Sequence, residues 1–199
     1  MITIVGAGPG ELQKMTYEAV AAIQEADRVV AFSRLAEKLM PIRRDVVAVK
    51  RLSEVEENLN PALNVAVVVS GDPLFFGLAG TFRAKGIQVD KVIPGLSSVQ
   101  CAAAALGLPW QTMRAFSFHG REPEIGLLLQ EPLSCVLLDK QFTASDLSKA
   151  LAAKGAKGVI HSASYLSYEN EKIVTAPIGE EISIDEDLAL AVIELELDE

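Results

Sequence analysis

The stretch Met1-Ile2-Thr3-Ile4-Val5-Gly6-Ala7-Gly8-Pro9-Gly10-Glu11 opens the chain as an apolar run that leads straight into a glycine-rich turn. The run is strand-sized, and a glycine turn directly behind a strand is where an α/β fold receives a ligand. A dinucleotide fingerprint, G-x-G-x-x-G, would need a third glycine where Glu11 stands. Pro9 also removes one backbone donor, and Glu11 sets a carboxylate where an anion would sit. The turn is therefore a poor phosphate cradle.

Composition narrows the remaining classes. The chain has 199 residues, 50% of them hydrophobic, enough to bury the core of one large domain or two small ones. Apolar runs such as Val65–Val69 are strand-sized and far short of the roughly 20 residues of a membrane span. Neither a basic leader nor a signal-type apolar segment precedes the first strand, which points to the cytoplasm. Cys101 and Cys135 form no C-x-x-C, and His119 and His161 lie far apart, so neither a disulfide framework nor a metal site is expected. The net charge of −9 lies at the C-terminus, where Glu180 to Glu199 hold 9 acidic residues and no basic one. That balance argues against nucleic-acid binding, which needs a basic footprint. Local cations at Arg43-Arg44, Lys50-Arg51, Arg114 and Arg121 leave room for small anions.

Periodicity gives alternating strands and helices. Met1–Val5 is a strand, Thr16 N-caps a helix through about Ala26, and Arg28–Phe32 and Val46–Val49 are strands. Ser53-x-x-Glu56 has the capping-box pattern of a short helix, Asn64–Ser70 is a buried strand, and Gly77–Lys85 a helix. Gln88–Ile93 is a strand, followed by the turn Pro94–Ser98 and an alanine-rich helix over Val99–Leu106. The pattern breaks around Gly107–Trp110, so two domains are expected, 1–110 and 111–199. The second holds strands Ala115–His119, Ser134–Leu138 and Gly158–Ser162, with helices near Glu122–Gln130 and Ser145–Lys154. Lys172–Ala176 and Leu188–Leu197 are further strands, the last with Glu194 and Glu196 alternating against apolar neighbours, and a mixed sheet is expected there. The fold class is α/β, two αβα halves of about 100 residues that invite a cleft between them.

Three turns follow strands in the first half: Gly6–Gly10, Ser70-Gly71-Asp72-Pro73 and Pro94-Gly95-Leu96-Ser97-Ser98. In a parallel sheet all three gather at the carboxyl ends of the strands, where open α/β sheets bind ligands. A Gly-Asp-Pro alone is more often an ordinary turn, and Asp72 has that structural reading beside its functional one. Glu11 reads equally as a charge favoured by a helix N-terminus, His119 as a strand-end cap, and Trp110 as core.

With these residues in view, Val5–Gly10, Ser70–Gly77 and Pro94–Ser98 together resemble the tetrapyrrole methylase family, the class III S-adenosylmethionine-dependent methyltransferases. The resemblance spans nearly the whole chain. Val92–Gln100, Ala105–Trp110 and Ser117–Arg121 are similar to the branch that methylates C5 of cobalt-precorrin-7 in cobalamin synthesis. It implies the tetrapyrrole methylase fold, with S-adenosylmethionine folded in the cleft between two αβα domains. It further implies that Gly8, Pro9, Gly71, Asp72, Phe75, Ser97 and Ser98 lie against that cofactor, with Leu138, Tyr165 and Leu166 flanking its adenine. Gly10, His119, Arg121 and Arg114 are then the substrate-binding residues, the cations facing the ring's acetate and propionate groups. No residue is singled out as a general base. A homodimer is implied, and any C15-methylating decarboxylase must be a separate partner, since the chain stops at Glu199. Other class III enzymes, acting on diphthine or on an RNA ribose, are alternatives. A non-catalytic nucleotide-binding module is another. An NAD-binding oxidoreductase is disfavoured, because the second strand ends in Phe32-Ser33-Arg34 instead of the acidic ribose ligand.

Overall fold

The computed structural model describes residues 1–118, 120, 122–184 and 189–196. The chain divides into two compact units, Met1–Ser98 and Val99–Glu199. The division falls at the start of the helix Ser98–Leu106, which the sequence reading had grouped with the N-terminal half.

In the first unit, β1 (Ile2–Gly6), β2 (Arg28–Phe32), β3 (Val47–Val49), β4 (Val65–Val69) and β5 (Lys91–Ile93) form a parallel sheet in the order β3-β2-β4-β1-β5. Its strands read as continuous apolar runs because both faces are covered. On one face Val5, Val29, Ala31, Ala66 and Val68 pack with Ala19 and Ile23 of α1 (Tyr17–Glu25) and Ala36 and Leu39 of α2 (Ser33–Leu39). On the other, Ile4, Val30, Val65, Val67 and Val69 pack with Val55 of α3 (Leu52–Glu57) and Ala79 and Phe82 of α4 (Leu78–Ala84). Thr16 caps α1 as expected, its hydroxyl accepting from the Ala19 N–H at 3.1 Å. The expected Ser53 capping box does not form. The helix α3 begins at Leu52, and Glu54 reaches back to the Lys50 N–H at 2.8 Å and to Arg51, a neutralised acid–base pair taking the place of the hydroxyl cap.

The second unit begins with α5 (Ser98–Leu106) and carries the sheet β6-β7-β10-β8-β9. Its strands are β6 (Arg114–Ser117), β7 (Leu133–Leu137), β8 (Gly158–Ser164), β9 (Lys172–Pro177) and β10 (Leu190–Leu195). β6 and β7 run parallel, while β10 is antiparallel to both β7 and β8, so the mixed sheet expected here is present. One face packs against α6 (Ile125–Leu128) and α7 (Ala144–Ala153) through Leu128, Leu147, Leu151, Val136, Ile160 and Ile193. Trp110, expected in the core, is 50% exposed. It sits in the irregular segment before β6.

Candidate functional site: the strand-end loops

Because β4, β1 and β5 are neighbours and all parallel, their following loops leave the sheet at one edge. The structure brings them into direct backbone contact. The Ala7 N–H donates to the Val69 carbonyl at 2.8 Å, the Gly8 N–H to the Gly71 carbonyl at 3.2 Å and the Gly71 N–H to the Gly8 carbonyl at 2.7 Å. Gly8 (φ 73°) and Gly71 (φ 69°) both adopt left-handed backbone, which a side chain would strain. A Cβ on Gly6 would stand 2.5 Å from the Gly95 nitrogen, and one on Gly95 would stand 2.4 Å from the Gly71 oxygen. These glycines allow three loops to close on one another. They do not open a loop towards a phosphate, for the amides of Ala7 and Gly8 are already spent and Pro9 has none. Nor does a helix begin at the loop. A 3₁₀ turn, Leu12–Lys14, follows, and α1 starts only at Tyr17.

Asp72 ties the second loop to the third. One carboxylate oxygen accepts the Leu74 N–H at 2.8 Å and the other the Gly95 N–H at 3.2 Å. The structural reading of Asp72 therefore holds, and a carboxylate's remaining lone pairs leave it able to face a cation as well. Ser97 is buried at the end of the third loop, and Ser98 opens α5. Phe75 meets Phe76 edge-on at 4.8 Å between centroids. Phe76 is a non-glycine residue at φ 48°, a conformation that costs on the order of 1–3 kcal/mol and collects at ligand-binding segments.

Lys38 of α2 holds the far end of the glycine loop. Its ammonium donates to the Gly10 carbonyl and to the Glu11 carboxylate, both at 3.1 Å. Glu11, which stands at the N-cap of the 3₁₀ turn, is thus also an ion-pair partner. Nothing local in the sequence points to Lys38, which lies a helix, a strand and most of a second helix away.

In the second unit, the ends of β6, β7 and β8 share one edge, since β6 is parallel to β7 and β10 runs antiparallel between β7 and β8. Leu138 sits there, buried, its N–H donating to the Ala189 carbonyl at 3.1 Å. Beyond β8, Tyr165 (φ 50°) and Ser167 (φ 77°) bracket the buried Leu166, two more non-glycine residues in left-handed backbone. Asp139, which sequence reasoning missed, accepts the Gly120 N–H at 2.8 Å and the Gln141 N–H at 2.8 Å, so it organises the loop after β6. Its signal was available: an aspartate just past a strand end is a turn former. Arg114 is elsewhere. It opens β6 at the opposite edge, about 10 Å away by strand rise, and spends its charge on Glu131 while lying over the Phe116 ring. His119 and Arg121 lie outside the described residues. Among the described residues no group of three or more acidic, histidine or cysteine side chains is placed to hold a metal ion. No described helix is long and apolar enough to cross a membrane.

Residues 1–181 match the family model of the Tetrapyrrole (Corrin/Porphyrin) Methylases. The chain belongs to this family. Among curated relatives, the cobalt-precorrin-7 C(5)-methyltransferase of Salmonella typhimurium is 29% identical over 189 residues, covering 90% of this chain and 92% of that one. A probable cobalt-precorrin-7 C(5)-methyltransferase of Methanocaldococcus jannaschii is 33% identical, the match covering 61% of this chain and 62% of the relative. Among solved structures, the cobalamin-biosynthesis precorrin-6Y methylase of Archaeoglobus fulgidus shares the fold at a TM-score of 0.78, 24% identity and 99% of both chains. A uroporphyrin-III C-methyltransferase of Thermus thermophilus, solved with S-adenosylhomocysteine, shares it at 0.78, with 23% identity, 97% of this chain and 96% of that one. The glycine knot, with its spent amides, is accordingly the work of a tetrapyrrole methylase and not of a dinucleotide-binding fold.

Proposed function

We propose that this tetrapyrrole methylase transfers the methyl group of S-adenosylmethionine to C5 of cobalt-precorrin-7, a step of cobalamin biosynthesis. The observation that carries the reading is the match along nine-tenths of both chains to the Salmonella enzyme of that name. The loop edge fits the cofactor chemically, since it offers a carboxylate for a cationic amino group or sulfonium and no cradle for a pyrophosphate. In this reading Gly8, Pro9, Gly71, Asp72, Phe75, Ser97 and Ser98 hold the cofactor, and Leu138, Tyr165 and Leu166 enclose its adenine.

When bound, the cofactor supplies an already activated sulfonium methyl. It would give that methyl up to the ring carbon and leave as the neutral thioether, with a ring proton lost in balance. The chain's own work is placement and exclusion of water, which can replace strong acid–base catalysis. Gly10, fixed by Lys38, faces the substrate, and His119 and Arg121 meet its carboxylates. Arg114 is left out of this set because of its pairing with Glu131. Cobalt belongs to the substrate. A cytoplasmic homodimer completes the reading.

Calorimetric titration with S-adenosylhomocysteine and, separately, NAD tests the cofactor. Micromolar or tighter binding of the first and none of the second is expected. Incubation with cobalt-precorrin-7 and methyl-labelled cofactor should then add one labelled methyl. Binding of NAD, or of neither ligand, rejects the proposal.

A further inference from the structure

We propose that Leu74, Phe76 and Leu96 form an apolar rim that receives the flat face of the tetrapyrrole ring, deepening the methyltransferase reading on which it rests. All three are large and hydrophobic yet exposed, at 71%, 47% and 37%. They do not lie scattered over the surface. Leu74 and Phe76 belong to the loop after β4 and Leu96 to the loop after β5, and the Asp72 carboxylate grips both loops through the Leu74 and Gly95 amides. The Leu96 nitrogen also lies 4.0 Å from the place a Gly8 Cβ would occupy, so the rim is continuous with the bridged Gly8–Gly71 backbone.

Two features separate this rim from ordinary exposed side chains. Grouped exposed apolar residues beside a set of converging loops mark ligand surfaces more often than single ones do. Phe76, moreover, holds a bulky side chain at φ 48° while 47% of it stays exposed. Its edge-on contact with Phe75 fixes the ring. A tetrapyrrole has the complementary chemistry: a flat apolar face with carboxylates only at the periphery. An uncharged rim takes the face without desolvating a charge, and the polar periphery is left to residues outside the rim.

The test uses the full chain and the variants Phe76→Gly and Leu74→Ser/Leu96→Ser. Uroporphyrin, a flat macrocycle fringed with carboxylates, is the fluorescent probe. S-adenosylhomocysteine affinity, melting temperature and light-scattering mass are measured beside it. Both variants should bind uroporphyrin about tenfold more weakly, keep homocysteine-analogue affinity within twofold, and keep the parent's mass. Phe76→Gly should melt no lower than the parent, because glycine relieves the backbone. Unchanged uroporphyrin affinity in both variants overturns the rim, as does a parent that binds S-adenosylhomocysteine but not uroporphyrin. A halved mass in the variants also overturns it and makes the patch an interface between two copies. Failure of the parent to bind S-adenosylhomocysteine sinks instead the cofactor reading beneath it.

Discussion

Gly95 lies where three loops meet, and the atoms a methyl group would strike there are backbone atoms, the Gly71 oxygen at 2.4 Å and the Gly6 carbonyl carbon at 2.9 Å. Backbone cannot swing aside as the end of a side chain can. Gly95→Ala is therefore expected to destabilise the protein by about 2–3 kcal/mol and to abolish S-adenosylhomocysteine binding. Gly80→Ala is the control, because Gly80 is exposed within α4 with nothing within 4 Å of the added carbon, and the change should stabilise by about 0.5–1 kcal/mol. Denaturant titration of both checks the pair, and a Gly95→Ala protein as stable as its parent would refute the close approach. At this scale the sequence showed that Gly6, Gly8, Gly71 and Gly95 make turns. It did not show that they turn against one another, since backbone meeting backbone leaves no trace in side-chain chemistry. The bond from Lys38 to Gly10 escaped for a related reason, being made by tertiary packing alone.

The helix α7 starts with a capping box. The Thr143 hydroxyl accepts the Asp146 N–H at 3.2 Å, and the Asp146 carboxylate accepts the Thr143 N–H at 3.0 Å and its hydroxyl at 2.7 Å. These bonds, first that from the Thr143 hydroxyl and then that from its amide, hold the Asp146 carboxyl below the ordinary aspartate range. A carboxyl lowered in the folded state stabilises the fold above its unfolded pKa, about 3.9, and loses that contribution as pH falls through the folded value. Asp146→Asn should thus cost about 1 kcal/mol at pH 7 and progressively less below about pH 3.9, as denaturant unfolding across pH will show. A cost that grows on acidification would contradict the box. In β8, Ser162 is fully buried and its hydroxyl has no hydrogen-bond partner among the described residues, so Ser162→Ala should be neutral or stabilising by up to about 1 kcal/mol. Elements of the first unit were legible because a doubly covered parallel sheet writes each strand as an unbroken apolar run. The order β6-β7-β10-β8-β9 was not, because β10 reaches its neighbours from the end of the chain.

Both cysteines lie in the second unit, so thiol chemistry reports on that unit alone. Cys135 is fully buried in β7, and burial pushes its thiol up to about 12. At pH 8 it is neutral and shielded, and a disulfide reagent should reach it only when the unit opens. A Cys101→Ser variant isolates this signal. Here the two-part organisation can be set against the proposed roles of Leu138, Tyr165 and Leu166. A ligand that binds the closed form and not the open one shifts the opening equilibrium in proportion to its saturation. If those residues hold the adenine, S-adenosylhomocysteine at about 100 times its Kd should slow Cys135 labelling roughly 100-fold, although every strand-end glycine of the knot belongs to the first unit. Labelling that stays unchanged while calorimetry records full binding would assign the cofactor to the first unit alone. Rapid labelling in native buffer without ligand would show that the sheet around Cys135 is not the closed core its burial describes.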